Sequence, residues 1–354
     1  MDYKKSLDDL IEIVIKEGGS DLHLSENRTP SIRVSGELTP LVKHQTLTRD
    51  DLSGFLGILL NEQKLKEFQK NKEVDFSYMI QGGTRFRGSS YLQQGAVSLV
   101  LRLIPSEIKT LEELNLPDVL YEFTRRKQGF FLVVGPVGHG KSTTLASIIS
   151  SINKERTEHI ITIEDPIEFL HKQERSLVDQ REVGVDTDSF QSGLKAMFRQ
   201  DVDVLMIGEM RDPETIAAAV TAAETGHLVF STLHTNNAAQ TIDRIVDSFP
   251  SGQQDQIRAQ LSQALSGIFS QRLVKRTSGG LIPAYELMRN NAATANLIRD
   301  GRNHEINLII ETGADDGMID MNRTLVDLLR RGEISEESAR AYSPNPRALM
   351  RLVE

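Results

Sequence analysis

Residues 129–152 have the sequence GFFLVVGPVGHGKSTTLASIISSI, and this stretch decides the fold. It begins with a continuous apolar run, which is typical of a strand in a parallel sheet that is covered on both faces. A turn rich in glycine follows, and we expect the segment after it, TTLASIISSI, to form a helix. A strand, a turn and a helix in direct succession indicate an α/β domain.

The turn matches the pattern G-x-x-x-x-G-K-[ST] from Gly135 to Ser142 without a gap. Its glycines let the backbone curl so that successive N–H groups point at one anion. In this pattern Lys141 supplies charge to the β and γ phosphates and Ser142 offers its hydroxyl to Mg²⁺. The following helix adds the positive end of its dipole. We therefore expect a nucleoside triphosphate, ATP, to bind and be hydrolysed here; the alternative is a glycine-rich turn without nucleotide. The predicted binding residues are Gly135, Gly138, His139, Gly140, Lys141, Ser142 and Thr143.

Further apolar runs alternate with helical segments downstream, and each predicts another strand of the same sheet: HIITIED at 159–165, VDVLMIGE at 202–209 and HLVFSTLHT at 227–235. Ligands of open α/β sheets bind at the carboxyl ends of the strands. Glu164 and Asp165 stand at such an end, and carboxylates there can hold Mg²⁺ directly or through water. The alternative is that Asp165 only caps a turn before Pro166.

Glu209 is the candidate general base. Many phosphate-loop ATPases carry Asp-Glu after this strand, whereas here Gly208 takes the Asp position and Glu209 remains. Glu209 is therefore predicted to polarise the attacking water. Because Gly208 has no carboxylate, Mg²⁺ would then be bound mainly by Ser142 and residues 164–165. Alternatively, Glu209 is a surface carboxylate paired with Arg211.

Two histidines flank the last apolar run. His227 and His234 are seven positions apart, so in a strand they would point to opposite faces and make poor joint metal ligands. His234, with Thr232 and Thr235 nearby, is predicted to sense the γ-phosphate by hydrogen bonding. The alternative for each histidine is an ordinary hydrogen-bonded side chain without a catalytic role.

Composition limits the possible functions. The chain has 354 residues, 39% of them hydrophobic, which fits about two globular domains. Its net charge is -9, so no overall field attracts a polyanion, and nucleic acid is a disfavoured partner. The absence of cysteine excludes disulfides, thiolate catalysis and Cys-ligated zinc, and it is compatible with the cytoplasm. We expect no secretory signal and no membrane-spanning helix.

Residues 1–104 alternate short helical and strand patterns and predict a smaller α+β domain. A linker is expected at 105–117, because this segment contains two prolines and the sequence pattern changes there. The α/β domain, with a helical C-terminal region, is expected at 118–354. Phosphoryl transfer needs cations from outside the loop, since charge spreads over the phosphate in the transition state. The first domain offers arginines on strands; the alternative is a solvated strand face. These candidate catalytic residues are Arg85, Arg87 and Arg102.

The sequence resembles the secretion ATPase superfamily and, within it, the PilT family of type IV pilus retraction ATPases. The resemblance covers nearly the whole chain. It rests on GGSDLHL, IRVSGEL, RFR…LRLIP, GPVGHGKSTTLA, ITIEDPIEF, LMIGEMRDPETI and TAAETGHLVFSTLHTNNAAQTIDRIVDSFP. Pilus assembly ATPases usually add a longer N-terminal region and a four-cysteine zinc insertion, which this chain lacks.

The resemblance implies a PAS-like N-terminal domain and a RecA-like ATPase domain, assembled as a homo-hexamer. Nucleotide would lie between the domains, with arginines of the RFR and LRLIP strands reaching the phosphates. The motor would be cytoplasmic and peripheral at the inner membrane, where it acts on the pilus platform protein and indirectly withdraws pilin. Alternatives are a pilus assembly or type II secretion ATPase, a nucleic-acid translocase, or an idle nucleotide-binding scaffold.

The chain departs from the family pattern at two places. His139 replaces the serine expected inside the loop; its backbone would serve equally well, but a histidine titrates near neutral pH and allows an altered rate or pH response. In the C-terminal region, the family block A-I-R-N-L-I-R has become ATANLIR at 293–299, with Ala295 in place of arginine. If this block couples hydrolysis to retraction, the coupling is affected while hydrolysis is not.

Overall fold

A computed structural model of the chain describes residues 2–34, 36–80, 83–104 and 107–353. The chain divides between Glu107 and Ile108 into two compact units, and the short segment Glu168–Leu170 is grouped with the first. Each unit has its own hydrophobic core. None of the helices within the described residues has the length and apolar character needed to cross a membrane.

In its described residues, the first unit is a six-stranded antiparallel sheet with three helices, in the strand order β3-β2-β1-β6-β5-β4. Its helices are α1 (Tyr3–Lys16), α2 (Arg49–Leu59) and α3 (Glu62–Asn71). Its strands are β1 (Asp21–Ser25), β2 (Ser31–Val34), β3 (Glu37–Pro40), β4 (Glu73–Met79), β5 (Arg85–Gln93) and β6 (Ala96–Leu103). Helix α2 begins at a capping box in which Thr48 and Asp51 satisfy each other's backbone N–H groups. This is the expected α+β domain.

The second unit contains a seven-stranded sheet in the order β13-β12-β7-β11-β10-β8-β9. Its strands are β7 (Gly129–Val134), β8 (His159–Glu164), β9 (Leu177–Glu182), β10 (Val204–Ile207), β11 (Leu228–Leu233), β12 (Leu265–Lys275) and β13 (Leu281–Arg289). All neighbouring strands are parallel except the pair β12 and β13.

Helices cover both faces of this sheet, as the continuous apolar runs require. They are α4 (Leu120–Thr124), α5 (Lys141–Glu155), α6 (Phe190–Met197), α7 (Pro213–Glu224), α8 (Ala238–Asp247), α9 (Ser251–Ala264), α10 (Ala292–Arg299), α11 (Ile306–Thr312), α12 (Met321–Arg330), α13 (Glu336–Tyr342) and α14 (Pro346–Val353). Single 3₁₀ turns lie at Asn303–Glu305 and Ala314–Asp316.

The two faces of the sheet bury different parts of the chain. Helices α6 to α11 pack on the face that carries Leu132 and Val134, while α4 and α5 pack on Phe131 and Val133. Residues from the segment expected as a linker also belong to this second core: Leu111 is 1% exposed and Leu116 is 5% exposed. Their apolar side chains therefore make this stretch part of the second unit.

The predicted apolar runs correspond to β7, β8, β10 and β11, so the α/β architecture is the expected one. The apolar patterns of the sequence did not predict the long hairpin of β12 and β13. Pro346 is the first residue of helix α14. Proline suits the first helical position because that N–H has no helical acceptor.

Glu286 on β13 is a fully buried carboxyl group. Its Oε1 accepts hydrogen bonds from the backbone N–H of Ala238, at the start of α8, and from the Ser270 hydroxyl. Burial raises the pKa of Glu286 to about 7, although both hydrogen bonds act in the opposite direction. Below about pH 7, the protonated acid is therefore favoured in the folded chain.

The variant Glu286→Gln tests this assignment. A folded-state pKa above the ordinary value of 4.5 means that the parent loses stability as pH rises from 4.5 to about 7. The neutral amide avoids this loss, so the variant should match the parent near about pH 5 and melt at a higher temperature near about pH 8. Thermal denaturation at both pH values measures the difference. The exposed Glu311→Gln serves as control, and an equal difference at both pH values would contradict the raised pKa.

Candidate nucleotide-binding site

The loop between β7 and α5 is shaped by contact with the backbone of β12. Gly135 and Gly138 have positive φ angles of 150° and 78°. A Cβ atom placed on Gly135 would lie 2.3 Å from the carbonyl oxygen of Gln271, whereas one on Gly138 would meet nothing within 4 Å. Position 135 therefore requires glycine for space as well as for conformation.

Lys141 is the first residue of α5 and is buried beneath the loop. Its Nζ donates hydrogen bonds to the carbonyl oxygens of Gly135 and Pro136, each at 2.9 Å, and contacts Nδ1 of His234 at 3.1 Å. Ser142 is exposed in the first turn of the same helix and Thr143 is partly exposed. A helix N-terminus and an ammonium group thus adjoin the same loop, an arrangement that favours an anion.

His234 connects Lys141 to Glu209. Its Nε2 lies 3.3 Å from Oε1 of Glu209, and the other carboxylate oxygen accepts a hydrogen bond from Arg211 at 2.8 Å. Because the ammonium can only donate, we assign Nδ1 of His234 as the acceptor and Nε2 as the protonated nitrogen. Lys141, His234, Glu209 and Arg211 therefore form one continuous chain of polar contacts across the ends of β7, β10 and β11.

The charges along this chain set its protonation. Burial lowers the pKa of His234, and the Lys141 and Arg211 charges lower it further against the attraction of Glu209. Burial alone would raise the pKa of Glu209, but the Arg211 hydrogen bond and the nearby positive charges outweigh it, so this pKa is lowered. Near neutral pH the chain therefore holds a neutral imidazole against an ionised carboxylate.

Glu164 and Asp165 follow β8 at the same edge of the sheet. Glu164 is buried, and its Oε1 accepts hydrogen bonds from the Thr162 hydroxyl and the Gln180 amide. Asp165 is exposed, and its charge acts on Arg211. A Cβ atom on Gly208 would lie 3.4 Å from the Cα of Glu164, so an Asp in that position would add a second carboxylate beside it.

Mg²⁺ fits these residues only as an ion that is shared with phosphate. Within the described ranges, no group of three or more His, Asp or Glu side chains could hold a metal. Mg²⁺ characteristically keeps several waters and binds one or two protein oxygens together with substrate phosphates. Hydroxyl and carboxylate oxygens are the donor atoms that Mg²⁺ prefers, and Ser142, Glu164 and Asp165 supply them.

Sequence reasoning missed Gln271, which holds the loop from the side of β12. Its Nε2 donates to the carbonyl oxygen of His139 at 3.0 Å, and its Oε1 accepts from the Thr144 hydroxyl at 2.6 Å. Gln271 is separated from the loop by more than a hundred residues, and no spacing in the sequence connects the two. The pairing of β12 with β7 brings them together.

His227, Thr232 and Thr235 each make a different hydrogen bond near strand β11. His227 precedes β11, where its Nδ1 contacts the carbonyl oxygen of Ala222, so it lies at the other end of the strand from His234. Thr232 donates to the carbonyl oxygen of Gly208, and Thr235 shares a hydrogen bond with Thr241. Of the polar side chains predicted at this strand end, His234 contacts Lys141.

The three candidate arginines lie in the first unit. Arg87 and Arg102 stand directly opposite each other on β5 and β6, and Arg102 is paired in the same way with Asp21 on β1. The Arg102 guanidinium donates to the buried carboxylate of Asp21 at 2.8 Å. Arg85 and Arg87 are two positions apart on β5 and share one face, because Phe86 between them is buried. Their action on a nucleotide stays a prediction.

The altered C-terminal block forms helix α10. Ala295 is partly buried there, while Arg299 is exposed at the last turn and contacts Asn296. The effect of the missing arginine on coupling also stays a prediction.

Comparison with known proteins assigns the family. A family model for type II/IV secretion system proteins matches residues 3–331. The chain belongs to the type II/IV secretion system protein family.

Individual proteins within this family are similar to the chain over most of its length. The chain is 41% identical to the type IV pilus retraction ATPase PilT of Pseudomonas aeruginosa, over 96% of this chain and 98% of that protein. It is 42% identical to a twitching motility protein of Neisseria gonorrhoeae, over 91% of this chain and 86% of that protein. A crystal structure of the pilus retraction motor PilT with bound ADP superposes with a TM-score of 0.91 at 44% identity, covering 97% of this chain and 98% of the other.

The variants Gly135→Ala and Gly138→Ala form a matched pair. Each alanine must adopt an unfavourable φ angle, but only the one at 135 collides with Gln271. We expect Gly135→Ala to cost about 1–3 kcal/mol more stability than Gly138→Ala, because overpacking is added to the backbone strain. It should also weaken ADP binding more. Thermal denaturation and calorimetric titration measure both effects, and equal losses would show that β12 does not constrain the loop.

Proposed function

We propose that this chain is an ATP-hydrolysing motor that powers the retraction of type IV pili. The observation that carries the chemistry is the contact chain from Lys141 through His234 to Glu209, which links a phosphate-binding loop to a carboxylate base. The similarity to a pilus retraction ATPase over almost the full length of both chains supports the biological role.

ATP binding begins at the loop and the N-terminus of α5. The Lys141 ammonium has three protons, and its contacts include two loop carbonyls and His234. To bind a γ-phosphate oxygen, Lys141 exchanges one of these acceptors, and His234 is the one outside the loop. The arrival of the γ-phosphate would therefore change the position of His234 and, through it, the orientation of Glu209.

Hydrolysis requires a water molecule in line with the γ-phosphorus. Glu209 accepts a proton from this water as its oxygen bonds to phosphorus, and the bond from phosphorus to the β–γ bridging oxygen breaks to leave ADP. The two carboxylate oxygens offer about four acceptor positions, so Glu209 can hold the water while it contacts His234 and Arg211. Lys141 and the amides of the loop stabilise the charge on the transferred phosphoryl group.

Magnesium would be held by Ser142, with Glu164 and Asp165 acting directly or through water. When bound, the ion neutralises charge on the β and γ phosphates. The Thr162 and Gln180 hydrogen bonds fix the Glu164 carboxylate, and Glu164 is the last residue of β8, at the edge of the sheet where the loop also lies. This arrangement supports a role for Glu164 in orienting Mg²⁺ or its bound water without a large movement of the side chain.

The motor we propose is a homo-hexamer in the cytoplasm, peripheral at the inner membrane through the pilus platform protein, with pilin as an indirect partner. Its domains are the PAS-like region 1–104 and the RecA-like region 118–354, joined by the linker 105–117, whose Leu111 and Leu116 pack into the core of the second unit. Arg85, Arg87 and Arg102 would supply positive charge to the phosphates. Nucleic acid is not expected as a partner, because the chain carries a net charge of -9.

The variant Glu209→Gln tests the general base. The amide keeps the shape of the side chain but cannot take up the proton, so kcat for ATP hydrolysis should fall by about a hundredfold or more, while ADP affinity stays close to that of the parent. The exposed Glu311→Gln is the control. Steady-state phosphate release measures the rate. Turnover equal to that of the parent would remove Glu209 as the base, and a parent without turnover would favour a nucleotide-binding scaffold.

Deleting the gene in a piliated parent strain tests the direction of the motor. Surplus surface pili without twitching are expected, and the Glu209→Gln variant should fail to restore motility. Electron microscopy and a twitching assay provide the measurement. Loss of pili would instead favour an assembly role, and loss of secretion a type II system. DNA-stimulated, salt-sensitive ATPase activity of the purified protein would favour a translocase.

A further inference from the structure

His139 contacts β12 through both its backbone and its side chain. Its carbonyl oxygen accepts the Gln271 amide at 3.0 Å, and its ring Nδ1 accepts the backbone N–H of Leu273 at 2.9 Å. The imidazole is half-buried, and its ring centroid lies 6.2 Å from that of Tyr342 at the end of α13, in an edge-to-face arrangement. A side chain in the phosphate-binding loop thus reaches strand β12 and the C-terminal helices.

The Leu273 amide needs this acceptor because β12 extends beyond β7. The two strands pair as far as Ser270 and Val134, where β7 ends and the loop begins. Past that point, within the part of the chain that the structure describes, no strand pairs with this side of β12 to accept its N–H groups. An unpaired backbone N–H away from water is costly, so a side-chain acceptor in the loop stabilises the contact.

We propose that His139 is a positioning residue that locks the phosphate-binding loop onto β12 by accepting the Leu273 amide. The inference rests on the proposed nucleotide binding at this loop and deepens it. A loop that is held at one carbonyl and one ring nitrogen keeps its backbone N–H groups aimed at the phosphates before the nucleotide arrives. Preorganisation of this kind improves affinity by reducing the ordering required on binding.

The lock depends on the neutral form of the imidazole, since a protonated Nδ1 can only donate. Burial lowers the pKa of His139, and the charges of Arg272 on β12 and Lys141 in the loop lower it further; Tyr342 faces the ring from α13. A folded-state pKa below the ordinary 6.5 means that the lock is complete above that pH and weakens as pH falls through the lower value. Acidification should therefore open the lock.

Three proteins test the proposal: the parent, His139→Ala and His139→Asn. The alanine removes the acceptor, whereas Oδ1 of asparagine occupies the same distance along the side chain as Nδ1 and does not titrate. At about pH 7.5, His139→Ala should raise the Kd for ADP and the KM for ATP by about three- to tenfold with little change in kcat, and His139→Asn should restore both constants to within about twofold of the parent. As pH falls below the ordinary 6.5 and through the lowered pKa of His139, the affinity of the parent should approach that of the alanine variant, while the asparagine variant keeps its affinity.

The matched control is His304→Asn, which removes an imidazole that is 80% exposed and lies outside the loop. Calorimetric ADP binding and steady-state ATPase rates are measured across the pH range, with thermal denaturation to confirm that every variant is folded. Equal ADP affinity of parent and His139→Ala, or parallel pH profiles of parent and His139→Asn, would overturn the lock. A parent that binds ADP without hydrolysing ATP would refute the proposed function yet leave the lock measurable by affinity. A parent that binds no nucleotide would overturn both.

Discussion

Strand β7 lies between β11 and β12 and is buried along its whole length. The loop that follows β7 therefore lies at the edge of the sheet beside both β11 and β12. On the side of β11 it meets His234, and on the side of β12 it meets Gln271 and Leu273. The candidate site depends on this central placement, because parallel strands deliver their carboxyl ends to a single edge of the sheet.

The polar groups at this edge form two systems that meet in the loop. Through Lys141, the loop is connected to His234, Glu209 and Arg211, and this chain carries the proposed chemistry. Through His139, the same loop is connected to β12, and this contact carries the proposed positioning. If both proposals hold, a γ-phosphate acts on the loop through Lys141, and protonation of His139 acts on it from the side of β12.

The sequence predicted those parts of the candidate site that depend on interactions between residues close together in the chain. The glycine pattern, Lys141 and Ser142 follow from the needs of a phosphate, and Glu209 follows an apolar run whose carboxyl end can be recognised without a structure. His139 was expected to contribute its backbone, with an imidazole that allows an altered rate or pH response. Its ring contact with Leu273 could not be foreseen, because nothing in the sequence indicates that β12 extends past β7 by several residues.

The sequence by itself determined the α/β class of the second domain, since apolar periodicity acts over a few residues. It also predicted a division into two domains and a phosphate-binding loop, because glycine spacing is equally local. Only the tertiary structure decided that Gly135 must have no side chain, that Lys141 touches His234, and that Gln271 and Leu273 hold the loop. These contacts join residues that are far apart in the chain. They depend on strand order and register, which are set by the packing of the whole sheet and not by any one segment.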